Sequence, residues 1–184
     1  MNGKLFVFSG ASGVGKSTVL AKVMKARQDL HFSVSATTRA PRPGEVDGQS
    51  YFFVSKEAFE QMIQEDAFLE YDAHMGNYYG TPKNQLEKLQ CGSLVLDIEP
   101  NGAFNVRKRW PEAVLIFIAP PSLEELERRL RGRGDTPEEQ IRLRMDRVRW
   151  EMEQSRQYNY TVINEQVDTC AKQILNIIEK EIGE

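Results

Sequence analysis

Between residues 10 and 17 the chain reads Gly10-Ala11-Ser12-Gly13-Val14-Gly15-Lys16-Ser17, the pattern G-x-x-x-x-G-K-S. Residues of these types at this spacing bind the phosphates of a nucleoside triphosphate such as ATP. Glycines let the backbone curl so that successive N–H groups point at phosphate oxygens, and a following helix adds the partial positive charge of its N-terminus. Lys16 is placed to reach the β- and γ-phosphates, and the Ser17 hydroxyl to ligate Mg²⁺. A glycine turn without a ligand is the alternative. The apolar run Leu5-Phe6-Val7-Phe8 ahead of the loop and the helical spacing of Val19, Leu20, Val23 and Met24 behind it decide for the nucleotide.

Other stretches rich in chemistry are less specific alone. From Ser35 to Phe53, Arg39 and Arg42 lie three apart among hydroxyls and turn residues, and a guanidinium fork matches a phosphate bidentately. Tyr51 can add a hydroxyl. A charged surface loop has the same composition, so the residues alone leave the two readings level. Asp97 and Glu99 stand two apart on an expected strand, which puts both carboxylates on one face. Asp97 ends the apolar run Leu94-Val95-Leu96, as in a second nucleotide-binding motif, and is assigned to Mg²⁺, directly or through water. A buried structural carboxylate is the alternative there. Between Arg128 and Arg149 the chain gathers eight of its 24 basic residues, but Glu127, Asp135, Glu138, Glu139, Asp146 and Glu151 are interspersed. A mixed-charge helical surface therefore explains the run better than a nucleic-acid stripe. Gly132 and Gly134 form a joint between two helices, which suits a moving lid.

Thr37-Thr38-Arg39, Arg42, Glu45, Gly48, Tyr51 and Phe53 follow the guanylate kinase signature in order and spacing. With the phosphate loop, the chain resembles that family of P-loop nucleoside monophosphate kinases over essentially its whole length. The resemblance implies an ATP:GMP phosphotransferase, using Mg²⁺ and making ADP and GDP. It implies that Arg39, Arg42, Tyr51 and Tyr79 hold the GMP phosphate, and that Ser35, Thr81, Glu70 and Glu99 read guanine. It also implies that the lid arginines Arg129, Arg133 and Arg144 join Lys16 and Arg39 in catalysis, and that Asn164 lies near the adenine of ATP. The chemistry agrees with these roles. Guanine's N1–H and N2 amine call for acceptor-only carboxylates, while O6 and N7 call for donors. Bound AMP would leave buried groups unpaired, a penalty of roughly 10⁴-fold in kcat/KM. Family members commonly carry aspartate at position 99 and glutamine at 101. Glu99 is one methylene longer than that aspartate, and Asn101 stands in place of the glutamine, which alters reach and so affinity for GMP. A non-catalytic module of the same fold, holding phosphopeptides, would carry a degraded phosphate loop; the loop here is intact.

The elements that must position these groups alternate strand and helix, which predicts an α/β fold with a parallel central sheet flanked by helices. Strands are expected at Phe32–Ser35, Tyr51–Val54, Ser93–Ile98, Val114–Ile118 and Tyr160–Ile163. Ser55 is a candidate cap for a helix with Phe59, Met62 and Ile63 on its inner face. Phe68 to Tyr79, broken by Gly76-Asn77, reads as a hairpin, and Pro82–Gln90 as a helix. A further helix runs to Trp110. Ser122-Leu123-Glu124-Glu125 is a capping-box signal for a helix ending at Gly132 or Gly134, and Thr136-Pro137 opens the next. On that helix Ile141, Met145, Val148 and Met152 form an apolar stripe flanked by Arg144. One domain is expected over 1–184. Its core covers about 1–36, 86–126 and 152–184, with an inserted mixed α+β GMP-binding subdomain at 37–85 and a helical lid at 127–151. The net charge of −3 gives no pull toward nucleic acid or anionic membrane. Cys91 and Cys170 are far apart and suit a reducing cytoplasm. No targeting segment is visible, and no nucleic acid, membrane or obligatory protein partner is expected.

Overall fold

The computed structural model describes residues 3–74, 76–131 and 138–183. In chain order the first elements are β1 (Leu5–Gly10), α1 (Lys16–Ala26), β2 (Leu30–Phe32), β3 (Ala36–Thr37), β4 (Phe52–Phe53), α2 (Lys56–Gln64), β5 (Phe68–His74) and β6 (Asn77–Pro82). A 3₁₀ helix (Lys83–Gln90) follows, then β7 (Ser93–Asp97), α3 (Pro100–Arg109), β8 (Val114–Ala119), α4 (Leu123–Arg131), α5 (Glu138–Gln154), β9 (Tyr160–Ile163) and α6 (Val167–Ile182). Strands β1, β2, β7, β8 and β9 are parallel: β2 pairs with β7, β1 with β8, and β8 with β9. β1 and β8 are buried at every position, which is why they appear in sequence as unbroken apolar runs and not as alternating ones.

The chain forms two compact units, residues 6–28 with 114–184, and residues 1–5 with 29–113. In the first of these, β1, β8 and β9 pair in parallel, Phe8 opposite Ile116 and Ile118 opposite Val162. α6 packs on α1, and Val19, Val23, Cys170, Ile174 and Ile178 are buried. Ser122 caps α4 as its spacing predicts, its Oγ accepting from Glu125 N–H at 3.1 Å. The expected helix stop at Gly132 or Gly134 and start at Thr136-Pro137 lie outside the described residues.

In the other unit, β2 pairs with β7 in parallel, and a second sheet runs β4-β3-β6-β5. β3 and β4 are parallel in this sheet; β3–β6 and β5–β6 are antiparallel. The hairpin turns at Gly76, φ 76°, as the Gly76-Asn77 break predicts. Ser55 caps α2, accepting from Ala58 N–H at 3.1 Å. The helix then buries Phe59 against Phe68 and Tyr78, with ring centroids 4.4 and 5.3 Å apart.

Three expectations are corrected. Strand β2 stops at Phe32 and Ser33–Ser35 belong to no strand. Ser33 N–H still reaches the Val95 carbonyl, but Val34 N–H turns to the side chain of Gln85 and Phe52 N–H takes the Ser35 carbonyl. The segment is leaving one sheet for the other. Residues 83–90 wind as a 3₁₀ helix and not an α-helix; Leu86 with Leu89 and Gln85 with Lys88 are spaced three apart, the period of that tighter turn. Finally, β7 ends at Asp97, so Glu99 does not share a strand face with it. Glu99 is the extended cap residue (φ −70°, ψ 159°) that Pro100 at the start of α3 requires.

Phe59 is fully buried in the small second core with Ala36 and Phe68. Phe59→Ala is expected to cost about 3–5 kcal/mol, measurable as a lowered urea midpoint.

Candidate active site

The loop after β1 has the shape its glycines predict. Gly13 and Gly15 take φ of 85° and 89°, in the left-handed region open to glycine. Ala11 and Val14 are buried and anchor the loop in the core, while Ser12 and Gly13 are exposed. Val14 N–H donates to the Ala11 carbonyl at 3.0 Å, closing the curl, and Gly15 accepts from Thr18 and Val19 to begin α1. Lys16 and Ser17 are the first two residues of that helix, and Ser17 is exposed. Asn164, just past the carboxyl end of β9, is only 3% exposed and donates Nδ2–H to the Val14 carbonyl at 2.8 Å. Its side chain thus supports the loop from below. Arg144 is exposed on α5, beside the buried Ile141, Met145 and Val148. Arg129 lies on α4 with its side chain outside the described part, and Arg133 lies outside the described residues.

The other unit brings a second set together. Thr37 and Thr38 tie β3 to β6: Thr37 Oγ1 donates to the Tyr78 carbonyl at 2.9 Å, and Tyr78 N–H donates to Thr38 Oγ1 at 3.0 Å. Arg39 follows directly. Its Nη1 and Nη2 donate to Glu45 at 3.0 and 2.8 Å, and Arg42 N–H donates to the same carboxylate at 2.7 Å. Arg39 holds the Glu45 carboxyl below its ordinary range, and the Arg42 amide adds to this. The Arg39 guanidinium lies 5.4 Å from the Tyr51 ring, and Tyr51 meets Tyr79 edge to face at 6.2 Å. Burial pushes the Tyr51 hydroxyl up in pKa, with Tyr79 adding to the effect. Arg39, Tyr51 and Tyr79 are therefore one cluster, with Glu45 setting the plane of the guanidinium. Arg42 itself is exposed. The signature contains Glu45, but only the folded loop reveals what it holds.

Glu70 and Thr81 face each other across the β5–β6 hairpin, beside a register shift between Phe68 and Glu70. Thr81 donates both its N–H, at 3.0 Å, and its hydroxyl, at 2.7 Å, to Glu70 Oε1. Glu70 is 5% exposed, and burial pushes its pKa up to about 7 against the opposing effect of the two Thr81 bonds. The first turn of α3 lies against Oε2: a Cβ on Gly102 would sit 2.6 Å from that oxygen. A side chain at this position would have to displace the Glu70 carboxylate, a constraint that spacing in the sequence does not reveal. Ser35, Asp97 and Glu99 are half-buried in this same unit.

A curled glycine loop closing a strand of a parallel sheet, with lysine and serine opening the next helix, defines a P-loop nucleotide-binding α/β protein. Residues 2–181 match the family model for guanylate kinase. The chain is 47% identical over 183 residues to guanylate kinase of Thermus thermophilus, covering 98% of this chain and 83% of that one. It is 48% identical over 182 residues to guanylate kinase of Streptococcus thermophilus, covering 97% and 87%. The crystal structure of guanylate kinase from Anaplasma phagocytophilum superimposes with a TM-score of 0.80 at 34% identity, covering 97% of this chain and 86% of that one. The chain belongs to the guanylate kinase family and is a nucleoside monophosphate kinase.

Glu70 carries a folded-state pKa of about 7 against an ordinary 4.5. The folded state binds this proton more tightly than the unfolded one, so its stabilising contribution is full below pH 4.5 and is lost as pH rises through 7. Glu70→Gln, which keeps an oxygen for Thr81, is expected to gain stability over the parent between these limits. The gain should level off above pH 7 at no more than about 3 kcal/mol. Thermal melts of both proteins from pH 4 to 8 measure it.

Proposed function

We propose that the chain transfers the γ-phosphoryl group of MgATP to GMP, giving ADP and GDP. The observation that carries this is the buried Glu70–Thr81 pair, a carboxylate held out of water in the unit that also holds Arg39, Tyr51 and Tyr79. A buried acceptor matches guanine's N1–H and N2 amine, and it mismatches adenine, which has no hydrogen on N1. In this reading Glu70 and Glu99, with the Ser35 and Thr81 hydroxyls, read the base, and Arg39, Arg42, Tyr51 and Tyr79 hold the phosphate. Residues 37–85 then act as the GMP-binding subdomain and 127–151 as the lid. Residues 10–17 hold the ATP phosphates, and Asn164 serves them by supporting the loop.

Among the described residues no group of three or more histidine, cysteine, aspartate or glutamate side chains could cage a metal. Mg²⁺ suits such a chain, since it takes one or two protein ligands and completes its shell with phosphate oxygens and water. The exposed Ser17 hydroxyl and the Asp97 carboxylate would be its protein ligands, and the ion would supply charge neutralisation on the triphosphate. In the reaction a GMP phosphate oxygen attacks the γ-phosphorus in line. The bond to the β,γ-bridging oxygen breaks, and ADP leaves with its electron pair. No side-chain nucleophile is needed. Positioning and charge neutralisation by Lys16, Arg39, Arg129, Arg133 and Arg144 provide the rate. The cysteines are free thiols, as in a cytoplasmic enzyme, and no described helix is long and apolar enough to cross a membrane.

Purified protein is expected to release ADP from MgATP only when GMP is present, with kcat/KM for AMP lower by roughly 10⁴-fold. Comparable turnover of AMP in a coupled assay would overturn the substrate assignment. Glu45→Ala frees Arg39 from its setting and is expected to raise KM for GMP about tenfold while KM for ATP stays within about twofold. Steady-state kinetics with each substrate varied in turn gives both values.

A further inference from the structure

Glu151 occupies a place where a helix facing a core should carry an apolar side chain. Ile141, Met145 and Val148 are the buried stripe of α5, and Glu151, three residues on, is just 2% exposed. A carboxylate is costly to bury unless it is paired and hydrogen-bonded. Here it is both. Arg147 Nε, one turn earlier on the same helix, donates to Oε1 at 3.0 Å, and the Ser12 backbone N–H donates to Oε2 at 2.9 Å. The Arg147 guanidinium in turn lies 4.7 Å from the Trp150 ring. One carboxylate oxygen thus serves the helix, and the other serves the third residue of the phosphate loop.

The bond to Ser12 has a counterpart. Asn164 holds the Val14 carbonyl, so the two residues on either side of Gly13 are each tied to a buried side chain. Gly13 itself, at φ 85°, has the conformation that makes the loop curl. Without the tie at Ser12 the exposed stretch between the Ala11 and Val14 anchors loses its fixed point, and the entropy of ordering it falls due when ATP binds. α5 also carries Arg144, seven residues before Glu151 and about two turns along the same rigid rod.

We propose that Glu151 is a positioning residue of the ATP site. It holds the first half of the phosphate loop in its phosphate-binding curl and keeps the helix bearing Arg144 in register with that loop. Arg147 neutralises its charge, so that the carboxylate does not repel the nucleotide.

The inference rests on residues 10–17 being the ATP site, and the experiment separates the two. If the unaltered protein fails to bind MgATP in calorimetry, that assignment fails. If it binds, Glu151→Ala in the full chain tests the positioning role. The variant is expected to raise Kd for MgATP and KM for ATP about tenfold or more, with KM for GMP within about twofold. Glu151→Gln, which keeps an oxygen for the Ser12 N–H, should recover most of the loss. Hydrogen exchange of the ligand-free Glu151→Ala protein should be faster at amides 11–15 and unchanged along β1. A folded Glu151→Ala protein with unaltered ATP affinity, or with equal rises in both KM values, would overturn the proposal. Should that variant not fold, Glu151→Asp, whose carboxylate falls one methylene short of Ser12, decides by the same comparison of ATP with GMP.

Discussion

A backbone that must offer its amides to an anion cannot spend them on its own secondary structure, and the turn between β1 and α1 is built under that constraint. Helix and sheet hold their shape through the same groups that a phosphate needs. The loop is therefore held by other means: two buried side chains, Ala11 and Val14, a short internal bond between their backbones, and the Asn164 amide on the Val14 carbonyl. The left-handed glycines make the curl possible, and these contacts help to hold it. The parallel strands contribute what they do best, a rigid row of carboxyl ends from which loops can be hung.

The unit formed by residues 29–113 solves a similar problem with charge. Arg39 is long and flexible, and left alone it would sample many rotamers in water. Glu45 takes two of its nitrogens and the Arg42 amide at once, and Tyr51 lies under the guanidinium. The ordering entropy of Arg39 is thereby met during folding. Glu70 follows the same logic at greater cost. Its burial disfavours the ionised form, and Thr81 offsets part of that with two donors to one oxygen. The neighbouring helix presents a glycine, Gly102, where it meets the carboxylate.

What the sequence made legible follows from how local each determinant is. The phosphate loop, the Ser55 and Ser122 caps and the Gly76-Asn77 turn were readable because each is settled by a few adjacent residues. Ser33–Ser35 look like strand by composition, yet their hydrogen-bond partners come from Gln85, Val95 and Phe52, far away in the chain. Alternation puts Glu99 on a strand, although Pro100 next to it argues for a break. The arginine, tyrosine and carboxylate set around Arg39 and Glu70 was legible through family likeness. Composition alone described a charged loop and a solvated strand. Glu151 was hidden among acids of a mixed-charge helix, and only its three-residue step from Val148 hinted at burial.

The pKa of about 7 at Glu70 has a bearing on fidelity. An ionised Glu70 accepts hydrogen bonds, and a protonated one also donates. Adenine presents at N1 an acceptor where guanine presents a hydrogen. With Glu70 as the proposed reader of the base, acidification would add a donor at a place where adenine N1 offers an acceptor. On that proposed reading, discrimination between guanine and adenine is tied through one buried carboxyl to pH.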